Sequence, residues 1–106
     1  MSRIYENATI TEKANVYFDG KVTSRAVTKA DGTKITLGFM VAGEYTFKTA
    51  AEELMEVING ELSALLPGEE SWQNYPAGSK FSVPADDSFQ VKVPTFADYC
   101  CSYIEK

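Results

Sequence analysis

The apolar residues of this chain recur at every second position in short runs, and glycine, proline, asparagine and aspartate break the runs. That alternation is the period of a half-buried strand, and helical spacing is nearly absent. Val16-Tyr17-Phe18 runs into Asp19-Gly20, a turn signal, and a second run spans residues 21–28. Asp31-Gly32 predicts a type I′ hairpin, a turn whose two central positions both need positive φ. Ile35, Leu37, Phe39 and Val41 alternate on one face, Gly43 interrupts, and Tyr45-Thr46-Phe47 resumes the strand. Residues 50–54 are the one helix-friendly stretch, long enough for a loop or a single turn. Asn59-Gly60, flanked by runs at 55–58 and 61–66, predicts a second two-residue hairpin. Trp72 and Tyr75 are expected to pack as a lid on one edge. Phe81 and Val83 lead to Pro84, which lacks the amide needed to continue a ladder. Phe89, Val91 and Val93, then Tyr99, Cys101 and Tyr103, make the last two strands. Roughly eight to ten short strands result, which is an all-β sandwich or jelly-roll pattern.

A chain of 106 residues is one domain with one core. Its net charge of -5 excludes a nucleic-acid polymer as partner, since phosphate backbones need a basic footprint, but not a small anion at a local site. No apolar run approaches the roughly 18 residues of a membrane span, and the first 14 residues lack the apolar region of a secretory signal. A cytoplasmic location is the expectation. Cys100 and Cys101 are adjacent, so in a strand they point to opposite faces and are poorly placed to bridge. Reduced thiols are expected, one buried and one on the other face. With no histidine and two cysteines, a zinc site has no ligand set.

Two motifs give the pattern a more definite shape. The first is Phe47-Lys48-Thr49, then Glu53, then Gly60; the second is Gly78, Pro84 and Phe89. Their spacing resembles the motif pair of cupins, which implies a cupin-type double-stranded β-helix, a jelly-roll barrel. In metal-binding cupins, histidines stand where Phe47, Thr49 and Phe89 stand here. The resemblance therefore implies the barrel without the usual metal ligands, and no cofactor is expected.

A closer resemblance spans residues 17–104. Tyr17-Phe18-x-Gly20-Lys21-Val22 begins it, and Met40-Val41-x-Gly43-Glu44-Tyr45-Thr46-Phe47-x-Thr49-Ala50 follows. Met55-x-Val57-Ile58-x-Gly60-x-Leu62, Leu65-Leu66-Pro67, Trp72-x-x-Tyr75-x-Ala77-Gly78-Ser79-x-Phe81-x-Val83-Pro84 and Tyr99-x-Cys101-x-Tyr103 complete it. Taken in order, these phrases resemble the pyrimidine/purine nucleoside phosphorylases, a family of small cupins. Residues 1–16 look like an N-terminal extension and 17–106 like a single cupin domain. The resemblance implies broad cleavage of purine and pyrimidine nucleosides by phosphate, a co-substrate, to free base and ribose 1-phosphate. The chain departs from some relatives at Ser102, where they carry arginine, and at Ala85-Asp86-Asp87-Ser88, where they carry a histidine.

Phosphorolysis needs a held phosphate, a stacked base, gripped sugar hydroxyls and a stabilised leaving group, and needs neither metal nor covalent nucleophile. Glu53, at the cupin glutamate position, is a candidate acceptor for sugar hydroxyls or stabiliser of positive charge on the ribose; its alternative is a solvated loop carboxylate. Thr49 is a small donor at a ligand position, and Glu44 a contact to base or ribose or a turn stabiliser. Phe47 and Phe89 either fill the core or stack a base, and Tyr45, Tyr99 and Tyr103 add rings with polar tips. Met40 is a core filler or a ligand contact. By strand parity Lys48 points away from the interior. For phosphate the candidates are Lys21, Arg25, Ser79 and the amides near Gly78. A homodimer is expected, because edge strands need cover and cupins commonly pair. Two other classes fit the same residues: a metal-free binding module for a sugar or small metabolite without turnover, and a sugar isomerase. The isomerase needs a tuned acid/base pair, which a pocket without histidine disfavours. One carboxylate is not the facial triad of a metal-dependent dioxygenase.

Overall fold

The computed structural model describes residues 3–104. Its strands are β1 (Thr9–Ile10), β2 (Asn15–Tyr17), β3 (Val22–Thr28), β4 (Lys34–Lys48), β5 (Glu52–Leu65), β6 (Gln73–Pro76), β7 (Lys80–Val83) and β8 (Ser88–Ile104). A 3-10 turn at Phe18–Gly20 joins β2 to β3. Every pairing is antiparallel, in the order β1-β3-β4-β8-β5-β6, with β2 added to β3 and β7 to β5.

Three strands are far longer than the usual five or six residues: β4 has 15, β5 has 14 and β8 has 17. They stay continuous because bulges bend them. The β4–β8 register shifts between Val41 and Gly43, and the β5–β8 register shifts between Val57 and Asn59 and between Gly60 and Ser63. Each bulge turns the strand and tightens its twist, so the sheet curls into the all-β jelly-roll barrel.

Three local expectations change. Asn59-Gly60 makes no hairpin; it lies inside β5, where Gly60 takes φ 73° against the Phe96 carbonyl, a place a Cβ cannot occupy. Asn-Gly signals positive φ, and a bulge uses that as readily as a turn. Of residues 50–54, expected as a loop or a single turn, 50–51 are loop and β5 already begins at Glu52. At the Asp31-Gly32 hairpin only Gly32 is left-handed; Gly32 N donates to the Lys29 carbonyl at 2.9 Å and Asp31 accepts from Thr33 N and Oγ1. That is a wider turn than type I′, with a glycine closing it.

The core lies inside the barrel, around Met40, Val57, Leu62, Val83 and Val91. A smaller cluster of Val27, Ile35 and Cys100 sits on the outside beneath Tyr5, Ala8 and Ile58. Both thiols are therefore buried and free, Cys101 inside and Cys100 under the N-terminal segment. Within residues 1–16, β1 and the start of β2 pair with β3. Trp72 lies under the Lys92 ammonium, 4.2 Å from its ring centroid, and Tyr75 packs on Phe81.

Candidate active site

Cross-strand register sets side chains in rows across the barrel interior. Ser24, Gly38 and Tyr99 face one another on β3, β4 and β8. The next row is Thr36, Cys101 and Met55, and the next brings Tyr103 beside Glu53. These rows form one wall of a cavity that also admits Tyr17, Met40, Phe47, Lys48 and Phe89. Phe47 and Phe89 come from the other halves of β4 and β8, beyond the bulge, and stack with centroids 5.5 Å apart. One side thus offers hydroxyls, a thiol and a carboxyl, and the other offers aromatic faces. The enclosed space is about 130 Å³, below the roughly 300 Å³ at which pockets engulf a small ligand.

Gly38 shapes the polar wall. A Cβ there would run into the Tyr99 ring and lie 2.6 Å from the Thr23 carbonyl oxygen. The absence of a side chain lets Tyr99 lie flat across β4 with its hydroxyl toward Ser24. Asn15 Nδ2 donates to Ser24 Oγ at 3.3 Å, and the Thr36 and Tyr103 hydroxyls are 3.5 Å apart.

Burial raises every acidic group of this wall. It pushes the Glu53 carboxyl above the ordinary carboxylate range, partly offset by the nearby Cys101 thiol. Burial first, then the Glu53 charge, pushes up the Cys101 thiol. Tyr99 is raised by burial and its neighbours, and Tyr103 is pushed up to about 12, chiefly by burial. At neutral pH the tyrosines and the thiol hold their protons as donors. Desolvation favours the neutral form of Glu53 as well.

Six of the residues expected from sequence line the cavity: Glu53, Met40, Phe47, Phe89, Tyr99 and Tyr103. The other six lie elsewhere. Thr49 is buried as a clasp: its Oγ1 donates to the Pro84 carbonyl at 2.6 Å and accepts from Asp87 N at 3.1 Å, while its own N–H donates to the Asp87 carbonyl. Thr49→Val is therefore expected to lower stability by about 1–3 kcal/mol, because a buried donor and acceptor lose their partner. Thermal melts check this, with turnover per folded molecule little changed. Tyr45 is buried, donates its hydroxyl to the Val41 carbonyl at 2.7 Å and is capped by the Phe18 ring at 5.0 Å. Glu44 is exposed, 3.9 Å from Lys92. Lys21 is exposed, and Ser79 donates to the Pro76 carbonyl beside an outer depression of about 520 Å³ that Arg3 and Glu56 also line. Arg25 is also outside, its Nε donating to the Glu12 carbonyl.

The sequence reading passed over Lys48, Ser24, Thr36 and Cys101. Lys48 corrects the parity argument: it lines the cavity although its neighbours in β4 alternate as expected. It is the last residue of β4, at the mouth, where a flexible four-carbon stem is not bound by strand alternation. Among the described lining residues it is the one cation. Ser24 and Thr36 left a signal, polar residues at positions alternating with apolar ones, that also suits an ordinary solvent-facing strand.

The barrel has the cupin fold. An RmlC-like cupin from Shewanella frigidimarina superposes with a TM-score of 0.67 over 96% of this chain and 90% of that one, and at 16% identity it speaks for the fold alone. A protein of unknown function from Acinetobacter sp. ADP1 matches with a TM-score of 0.91 at 33% identity, over 95% of this chain and 98% of that one. The model of the pyrimidine/purine nucleoside phosphorylase family matches residues 12–103. A protein of that name from Syntrophotalea carbinolica is 56% identical over 101 residues, 95% of this chain and 97% of its own. The chain belongs to the pyrimidine/purine nucleoside phosphorylase family.

Proposed function

We propose that this protein cleaves purine and pyrimidine nucleosides with phosphate, releasing the free base and ribose 1-phosphate. Family membership supports the reaction, and the observation that supports its place is the two-sided cavity, aromatic on one side and lined by hydroxyls and a carboxyl on the other. The base stacks against Phe47 and Phe89, which tolerate either ring class because every base has a π-face. The ribose faces the hydroxyls of Ser24, Thr36, Tyr99 and Tyr103. Phosphate enters at the mouth against Lys48. A phosphate oxygen attacks C1′, the C1′–N bond breaks, and its electron pair leaves on the base nitrogen. In its protonated form, which burial favours, Glu53 delivers a proton to the departing base and regains one from solvent. A neutral carboxyl also avoids repelling the incoming phosphate. Beside this site the reading includes a homodimer and a cytoplasmic setting, the latter in keeping with two free thiols.

Purified protein incubated with inosine or uridine is expected to release base only when phosphate is present. Release that ignores phosphate, or tight nucleoside binding with no release, replaces this reading with hydrolysis or with a binding module. Lys48→Ala is expected to raise KM for phosphate roughly tenfold or more, the loss of one charge-assisted contact, with KM for nucleoside little changed. Initial rates against phosphate concentration measure it.

A further inference from the structure

The Cys101 thiol is buried in the cavity wall beside the carboxyl assigned to protonate the departing base. In the β5–β8 register Glu53 stands opposite Tyr103 and Met55 opposite Cys101, so Cys101 is the diagonal neighbour of Glu53. Diagonal neighbours on one face of an antiparallel pair lie roughly 7–8 Å apart, a gap that a glutamate side chain spans. The Cys101 thiol is hydrogen-bonded to the Glu53 carboxyl and the Tyr103 hydroxyl to the Cys101 sulfur. The Thr36 hydroxyl, across from Cys101 on β4, lies 3.5 Å from that of Tyr103.

Thr36, Tyr103 and Cys101 have one side-chain proton each to donate. The carboxyl is the strongest acceptor of the group, so the thiol donates to it. Its sulfur then accepts from Tyr103, and the phenol oxygen accepts from Thr36. All three protons point toward Glu53, and each bond polarises the next. Around the carboxyl, β7 sets Val83 opposite it, and Lys48, Tyr17 and Tyr99 come to the same cavity from β4, β2 and β8. The Lys48 charge favours the carboxylate and is common to every variant below. We propose that Cys101 is a positioning residue for Glu53. Its S–H holds one carboxyl oxygen against the wall, so the transferable proton sits on the other oxygen, toward the departing base. This role rests on the reading of Glu53 as the general acid.

Carbon-13 NMR of the Glu53 carboxyl, its signal identified by loss in Glu53→Gln, tests the contact without turnover. Serine keeps a donor at this position, and alanine has almost the same size without one. The difference between Cys101→Ser and Cys101→Ala therefore reads the hydrogen bond. A donor to the carboxylate favours the charged form. Glu53 is expected to titrate about one pH unit or more lower in Cys101→Ser than in Cys101→Ala, the worth of one hydrogen bond to a charged group. The descending limb of kcat is expected to move by the same amount. On its acid plateau Cys101→Ala is expected to be roughly tenfold slower than Cys101→Ser, with KM little changed. Should Cys101→Ala fail to fold, the isosteric pair Cys101→Thr and Cys101→Val makes the same comparison. Coincident titrations, or equal plateaux in the two variants, overturn the proposal. Titrations that separate in a protein inactive toward nucleosides support the hold on Glu53 and remove its assignment as acid.

Discussion

Glu53→Gln is expected to reduce kcat by roughly 10²–10⁴, the usual worth of a positioned general acid, while leaving KM for nucleoside within a few-fold. The substitution keeps the shape and a hydrogen-bond donor but holds no transferable proton. In the wild type, burial raises the Glu53 carboxyl above the usual range. The active, protonated form therefore persists above the ordinary carboxylate pKa, and the rate falls as pH climbs through the raised value. That descending limb disappears in the variant. Stability moves the other way. In the unfolded chain Glu53 ionises at its ordinary pKa, near 4.3. The folded chain holds the proton to higher pH, so stability present in acid is lost between the two pKa values. The amide has no such cost, and Glu53→Gln is expected to melt higher than the wild type at neutral pH and no higher in strong acid. A variant that keeps kcat within tenfold would falsify the role of Glu53 as acid. A lower melting temperature at neutral pH would argue that the carboxylate has a favourable partner in the folded state.

Gly38→Ala is expected to be strongly disruptive for a single added methyl. The added carbon meets the Tyr99 ring on one side and the Thr23 carbonyl, 2.6 Å away, on the other. The ring borders the cavity and is pushed toward it, and the carbonyl belongs to the β3–β4 ladder, which must distort to move it. Overpacking of this kind costs about 1–3 kcal/mol, and the trapped backbone contact puts this site at the upper end. For a domain of this size each kcal/mol lowers Tm by roughly 4–8 °C. Folded protein recovered at low temperature is expected to show a raised KM for nucleoside, because the displaced ring occupies the ribose side. Thermal melts and initial rates measure the two effects separately. A Tm within two or three degrees of the wild type would show that the strands relax around the methyl.

Much of the barrel is legible in the sequence because its strands alternate and its turns carry glycine. The motif spacing at Phe47–Gly60 and Gly78–Phe89 falls on β4, β5, β7 and β8 in the expected order. What resists reading is where a strand bends. Asn59-Gly60 specifies a backbone angle, and a hairpin and a bulge demand the same angle; only the partner strand distinguishes them. The face of Ile35, Leu37, Phe39 and Val41 is equally ambiguous, since a clean apolar alternation does not say whether it faces the core or another surface. In the site, parity points Phe47, Phe89, Tyr99 and Tyr103 inward along regular strands. It misleads at Lys48, where the strand ends. Thr49 shows the opposite limit: its position in the motif is right for a ligand, but a loop some 35 residues further on takes its hydroxyl. Gly38 and Tyr99 are paired only through register, and nothing local announces that a missing side chain on one strand makes room for a ring on another.

The clasp at Thr49 also ranks the parts of the cavity rim by the work needed to open them. On one side, Lys48 and Glu53 flank a bend fastened to residues 84–87 by backbone and side-chain hydrogen bonds. On the other, Tyr17 belongs to a three-residue edge strand and leads into Phe18 and Asp19, both held in left-handed backbone at φ 51° and 56°. Non-glycine residues in that conformation store strain, and short edge strands open at little cost. The Tyr17 side of the rim thus opens at less cost than the bend that carries Lys48 and Glu53.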